Sequence, residues 1–273
     1  MKNIWAMYFS PTGSTANLVN MITGAVCGMI DADEAQDVDF TPAYMREKKL
    51  VFTEDDLIFI GLPTYAGRLP NKIMPFVAEN LKGNGAYAVP MVTYGNRSFD
   101  DSLAELADLL EGAGFKLLGG GAFPCQHAFA ETLATGRPDM MDMLQAMQLG
   151  EGALQNLVAG KVVPASAFPG NHPVGPYYVP KKTDGEPAKF LKAVPQVDGT
   201  KCTACGLCAT VCPMDSIAYE EGYPTTGICI KCQACIKKCP AKARAFEDEA
   251  FLSHRQMLME NYANERKEVQ LVL

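Results

Sequence analysis

The chain has no long hydrophobic run: nothing in its 273 residues approaches the roughly 18 consecutive apolar residues of a membrane-spanning helix. The opening Met1-Lys2-Asn3-Ile4-Trp5 leads straight into a strand-like segment, without the apolar core and small-residue cleavage site of an export signal, so a cytoplasmic protein that spans no membrane is expected. A basic stripe is also missing. Residues 1–160 carry a net charge of −9 and residues 161–273 only +2, which argues against nucleic-acid phosphates as a partner. No credible nicotinamide loop occurs: Gly112-Ala113-Gly114 follows a helical stretch and precedes a strand, the reverse of the dinucleotide order, and reads as a helix C-cap. What remains, with 48% hydrophobic and 20% charged residues, is the balance of a folded soluble protein.

Positions 1–160 alternate short apolar runs with amphipathic stretches, the pattern of a parallel sheet covered by helices on both faces. Strands are expected at residues 3–9, 36–40, 57–61, 86–92 and 116–122, and helices at 14–27, 71–80, 100–110 and 139–158. Five strands in this arrangement predict a five-stranded parallel doubly wound α/β domain. Residues 161–196 are rich in proline and read as an extended linker laid along the surface. A small domain follows at 197–248, and the tail, 249–273, reads as a C-terminal helix packed back on the body through Phe251, Leu258 and Tyr262.

Eight of the ten cysteines crowd into that small domain, as metal ligands do in a chain without an export signal. They form two copies of one run, Cys202-x2-Cys205-x2-Cys208-x3-Cys212-Pro213 and Cys229-x2-Cys232-x2-Cys235-x3-Cys239-Pro240, the second repeating the first position for position. Three thiolates at this spacing wrap one corner of a cubane, and the fourth points to the other cluster. Cys202, Cys205, Cys208 and Cys239 are thus expected to hold one [4Fe–4S] centre, and Cys229, Cys232, Cys235 and Cys212 the other. Zinc is the alternative, but zinc pairs usually stop at two cysteines. The segment resembles a bacterial-type two-cluster ferredoxin, which implies one-electron transfer and no substrate chemistry at the clusters.

Residues 10–15, Ser10-Pro11-Thr12-Gly13-Ser14-Thr15, end the first strand and open the first helix. Their hydroxyls and the amides of a helical first turn suit a phosphate, and the lack of Lys and Arg excludes a Walker loop. Taken alone, the loop fits a phosphate cradle and an ordinary N-cap turn equally well. It resembles the flavodoxin phosphate loop with Ser10, Thr12, Gly13, Ser14 and Thr15 in register; Val19 departs from the alanine common there. The resemblance implies FMN at the C-terminal edge of the sheet.

Two further loops are then expected to meet the flavin: Pro63, Thr64, Tyr65, Ala66 and Gly67 after the third strand, and Thr93, Tyr94, Gly95, Asn96 and Arg97 after the fourth. Tyr94 is a candidate to stack on the ring, the Gly95 and Asn96 amides to meet its pyrimidine edge, and Gly67 to turn its carbonyl toward N5. Tyr65 and Tyr94 have the plainer reading of loop aromatics covering the sheet edge. Arg68 and Arg97 read either as surface charges or as counter-charges to reduced flavin. Cys125 and His127, after the fifth strand, read either as structural residues or as a nucleophile and a proton donor. Cys27 reads as packing.

Together the two halves resemble the flavodoxin–ferredoxin fusion proteins of anaerobic bacteria. The resemblance implies an electron-transfer protein with FMN and two [4Fe–4S] clusters, exchanging electrons with a ferredoxin, a flavodoxin or a partner oxidoreductase. An FMN-dependent reductase of a small acceptor (a quinone, nitro compound or enone) is the alternative, and a scaffold with structural clusters is the third class. An enclosed flavin pocket favours the carrier, and an open face beside His127 favours the reductase.

Overall fold

The computed structural model describes residues 3–273; Met1 and Lys2, where the first domain is expected to begin, lie outside the described residues. The first strand, β1 (Asn3–Tyr8), leads through the loop at 9–13 into α1 (Ser14–Met29). The parallel strands β2 (Gln36–Asp39), β3 (Asp56–Pro63), β4 (Tyr87–Tyr94) and β5 (Gly120–Pro124) follow, with α2 (Ser102–Gly112) before β5 and α3 (Met140–Ala159) after it. Their order across the sheet is β2-β1-β3-β4-β5, that of a flavodoxin-like doubly wound fold. The strand β3 is buried along almost its whole length, as the centre of a sheet covered on both faces must be.

The helix α1 buries Leu18, Val19, Ile22, Val26 and Cys27, the spacing of one helical face, against β1 and β3. On the same side α3 packs against α1; its start is fixed by a capping box in which Asp139 and Asp142 bond reciprocally, and its end by Gly160 at φ 65°. After α2, Gly114 at φ 88° turns the chain, the C-cap expected for 112–114.

Four expectations need correction. Residues 71–80 form a turn and then a π-helical segment, Phe76–Asn80, because Pro70 and Pro75 interrupt a regular helix. The expected strand at 116–122 is broken: Leu117 pairs with Ala88 but Gly121 pairs with Met91, so one extra residue bulges out beside Gly119 at φ 129°. The tail is not all helix. Its helix α4 (Glu249–Tyr262) is followed by β6 (Gln270–Val272), which runs antiparallel to β5 and covers that edge of the sheet. Nor are residues 161–196 a simple connector: Phe168 is buried in the core beside α2, and the Tyr177 hydroxyl donates to the Leu69 carbonyl at 2.8 Å.

The cysteine-rich unit is closed by an antiparallel pair, Gln196–Val197 with Arg244–Ala245. Its backbone repeats as its sequence does: Ala204 and Lys231, Gly206 and Gln233, and Asp215 and Lys242 occupy matched positions of the two runs, and all adopt positive φ. Phe251 of α4 ties the parts together, touching Phe129 after β5, Phe190 of the proline-rich segment, and Phe246 of the cysteine unit. Among the described residues no helix is long and apolar enough to cross a membrane.

Candidate functional site

A cavity of about 240 Å³ opens at the C-terminal ends of the parallel strands, where this architecture places its ligands. Its first wall is the start of α1. Thr12, Ser14 and Thr15 line it, and the helix begins without a side-chain cap on Gly13 and without an acidic residue in its first turn. The Thr15 hydroxyl is tied to that of Thr93 at 2.8 Å. A helix N-terminus left uncapped and flanked by hydroxyls suits a phosphate monoester. Ser10 and Gly13 do not reach the cavity wall, contrary to expectation: Ser10 Oγ accepts from the Ala16 amide at 3.0 Å, and Gly13, at φ 98°, makes the turn.

The second wall is a two-residue hairpin. Tyr65 and Arg68 exchange backbone bonds across Ala66 at φ 49° and Gly67 at φ 80°, a primed turn that needs positive φ at both central positions. Pro63, Thr64, Tyr65, Ala66 and Gly67 all line the cavity. The carbonyl of Gly67 accepts from the Asp101 amide at 2.9 Å and that of Ala66 from the Tyr178 amide at 2.8 Å. Turning the Gly67 carbonyl toward a ligand would exchange the bond from the Asp101 amide for one to that ligand. Arg68 is paired with the buried Glu105 and lies over the Tyr177 ring, 4.9 Å from its centroid, so its charge is already matched.

At the end of β4 and just beyond it, Thr93, Tyr94, Gly95 and Arg97 line the cavity. Tyr94 is only 5% exposed, packs on Phe99 and donates to the Glu268 carbonyl at 3.3 Å; it belongs to the core and offers no open face for stacking. The Asn96 side chain turns away from the cavity: its Nδ2 donates to the Tyr262 and Glu265 carbonyls at 2.9 and 2.8 Å, which pins the end of α4. Arg97 is paired with Asp100 and stacks over Tyr178 at 4.0 Å.

The segment after β5 places Cys125 and His127 in the wall, but neither is poised for chemistry. Burial pushes the Cys125 thiol up to about 12, and the nearby Asp142 adds to the effect. Burial, with the charges of His254, Lys237 and Arg97, pushes His127 down to about 3, and its Nδ1 accepts from the Phe129 amide at 3.0 Å. His127 is therefore a neutral imidazole with its proton on Nε2.

The remaining walls come from parts of the chain whose sequence gives no sign of this site. Tyr178, Pro180 and Phe190 of the proline-rich segment close one side, and His254 and Leu258 of α4 another. Ile230, Lys231 and Cys232, inside the second cysteine run, add a further wall. Burial pushes the Tyr65 phenol well above its ordinary range, and Cys232 and Cys229 add to the effect.

The eight cysteines divide between two smaller cavities, with Cys202, Cys205, Cys208 and Cys239 around one, and Cys212, Cys229, Cys232 and Cys235 around the other. The fourth member of each set comes from the opposite run. Among the described residues no three His, Cys, Asp or Glu side chains converge on one point as a single ion requires. The thiols instead ring cavities, as ligands of a polynuclear cluster do. The Ser216 amide donates to Cys212 Sγ at 3.5 Å and the Ala243 amide to Cys239 Sγ at 3.3 Å, the same contact at matched positions of the two runs. Cys205 is exposed and Cys235 buried.

Comparison with known proteins gives two results. The family described as "4Fe-4S binding domain" matches residues 195–218, a stretch that ends before the second cysteine run. No curated protein matches the chain. Solved structures similar in fold include a flavodoxin from the domain Archaea (16% identity, TM-score 0.42, covering 57% of this chain and 98% of that one). A short-chain flavodoxin associated with a non-canonical PDU bacterial microcompartment has 12% identity and a TM-score of 0.43, covering 57% of this chain and 99% of its own. The apo form of an NADH:FMN oxidoreductase, EMOB, has 17% identity and a TM-score of 0.40, covering 57% and 90%. The chain joins a stretch that matches the 4Fe–4S binding family, residues 195–218, to a parallel doubly wound sheet of flavodoxin-like order.

Proposed function

We propose that the chain is an electron-transfer iron–sulfur flavoprotein that holds FMN in the strand-end cavity and two [4Fe–4S] clusters in the two cysteine cavities. When bound, the clusters supply one-electron transfer, and the flavin links one- and two-electron chemistry. The observation that carries the proposal is the shared wall: Lys231 and Cys232 of the second cysteine run stand in the same cavity as Ser14 and Thr15 of the α1 start. Thr12, Ser14 and Thr15 would hold the phosphate, and the Pro63–Gly67 and Thr93–Arg97 loops the ring. Cys232 would place its own cluster beside that ring, leaving the Cys202, Cys205, Cys208 and Cys239 set, with Cys205 at the surface, to face an external redox protein.

The carrier reading is favoured over a small-molecule reductase by what lies at His127. The imidazole is neutral, the Cys125 thiol resists ionisation, and the wall beside them, formed by Phe129, Phe190, His254 and Leu258, holds no other acid or base poised for catalysis. A ferredoxin or flavodoxin is the expected partner, and a reducing cytoplasm suits a chain with eight of its ten cysteines in cluster-ligand runs. Anaerobic purification with iron, sulfide, zinc and flavin analysis tests the proposal. Eight irons and one FMN per chain are expected; zinc in place of iron, or no flavin after reconstitution, overturns it. Steady turnover of small acceptors at rates matching reduction by a ferredoxin would favour the reductase.

A further inference from the structure

Each cysteine cavity has one cation in its lining, at unmatched positions: Lys231 in that of Cys212, Cys229, Cys232 and Cys235, its Nζ donating to the Leu191 and Cys229 carbonyls, and Arg244 in the other. Residue 217, five after Cys212, is Ile217, a member of the unit's small apolar core. Its counterpart in the second run, five after Cys239, is Arg244. Arg244 is 4% exposed and lines the cavity of Cys202, Cys205, Cys208 and Cys239. One of its terminal nitrogens donates to the Tyr223 carbonyl at 2.8 Å and approaches Cys208 Sγ at 3.7 Å; the other donates to Thr225 Oγ1 at 3.0 Å. Its Nε is buried with no partner, and among the described residues no carboxylate lies within ion-pair distance of it.

A buried guanidinium without a counter-ion is costly, so its retention implies an anion beside it. A four-thiolate iron–sulfur cluster is such an anion, and it becomes more negative when it takes up an electron. A fixed positive charge and N–H donors directed at its sulfurs favour the reduced form, which raises the potential. We propose that Arg244 is the potential-setting residue of the chain. It makes the cluster held by Cys202, Cys205, Cys208 and Cys239 the more easily reduced of the two, so that an incoming electron rests first at the surface-facing end. The backbone N–H···S contacts to Cys212 and Cys239 recur in both halves and do not separate the clusters; Arg244 does, because it is buried and approaches a ligand sulfur, whereas Lys231 is half-buried and directs its ammonium to backbone carbonyls.

This inference rests on the two-cluster reading above, and the test separates the two. The full-length holoprotein is titrated anaerobically with dithionite and redox mediators, and cluster reduction is followed by EPR. Two separate one-electron cluster steps are expected. In Arg244→Gln the upper step falls, changing the oxidised-to-reduced ratio at fixed potential by about tenfold or more, or about 59 mV for a one-electron couple. The lower step moves less, and Arg244→Lys keeps most of the separation. Eight irons with coincident steps in the wild type overturn the inference and leave the two-cluster reading standing. So does a fully loaded Arg244→Gln protein with both steps unmoved. If Arg244→Gln loses iron, the wild-type separation and Arg244→Lys decide. A protein that binds no [4Fe–4S] cluster overturns the reading and the inference together.

Discussion

Val19 and Gly61 meet where α1 crosses β3: a Cβ placed on Gly61 would lie 2.5 Å from Val19 Cγ2 and 2.8 Å from Thr15 Cγ2. The valine that departs from the alanine of the flavodoxin pattern is thus accommodated by a glycine on the strand beneath it. The same contact sets the height of the α1 start above the sheet, and with it the positions of Ser14 and Thr15 in the cavity wall.

Gly61→Ala should therefore lift α1 and cost about 1–3 kcal/mol, the usual penalty for overfilling a packed core. Denaturant unfolding measures the loss, and FMN retention should fall with it. Adding Val19→Ala should recover part of both, although Thr15 still crowds the site. Two independent, additive losses would show that Val19 is not the obstacle.

The proline-rich segment is held to the start of α2 by one carboxylate. Asp101 Oδ1 accepts from the Asn171 amide at 2.9 Å, and Oδ2 from the Gly175 amide at 2.7 Å. Burial alone would raise its pKa, but these bonds and Arg68 outweigh it and hold the carboxyl below its ordinary range. Its stabilisation is present at neutral pH and disappears as the pH falls through that lowered value. Asp101→Ala should cost about 2–4 kcal/mol, with faster hydrogen exchange at residues 168–178 and faster flavin loss through the Tyr178 wall. Unchanged exchange there would show that Asp101 is not what holds the segment, leaving that to its apolar contacts and to bonds such as that of His172 to Asp108.

The cysteine runs are legible in the sequence because ligand spacing is a local property, and both sets ring cavities with the crossed fourth cysteine. The doubly wound order is legible for a similar reason: the buried run of β3 and the one-sided periodicity of α1 are written in consecutive residues. Tyr178, Phe190 and His254 are not, since they reach the cavity only through long-range packing around Phe251. The tail-holding role of the Asn96 side chain is equally hidden, since its partners lie 166 and 169 residues away. One further signal is present in Gly119-Gly120-Gly121. A Cβ at Gly119 would lie 2.6 Å from the Val272 carbonyl, and one at Gly120 2.6 Å from the Phe168 ring. The three glycines mark where β6 and the proline-rich segment close in on the sheet edge.

His127 gives a pH test. Its pKa is about 3 in the folded protein and about 6.5 in an unfolded chain. Between those values the unfolded state binds the extra proton, so stability is full above about pH 6.5 and declines as the pH falls toward 3. Folding of His127→Gln should lose less between pH 7 and 4.5 than that of the wild type, a difference of order tenfold or more in the equilibrium constant. Urea midpoints of both proteins at the two pH values measure it. Identical pH dependence would mean that His127 is solvated and open to protonation, the condition the reductase reading needs.

The tail is predicted to act as a wall of the cavity and a cover for the sheet, and the two roles are separable. Asn96 holds the end of α4 at Tyr262 and Glu265, whereas the Lys267 carbonyl accepts from Arg137 at 2.9 Å and β6 pairs with β5. Asn96→Ala removes the first anchor and leaves the edge covered; it should cost about 1–3 kcal/mol and speed flavin release past His254 and Leu258. Deleting residues 267–273 bares β5, and an uncovered edge strand invites pairing with another chain. That variant should lose thermal stability and show concentration-dependent association by light scattering. If it stays monomeric and as stable as the wild type, β6 is no cover for the sheet, and the Gly119–Gly121 approach has some other cause.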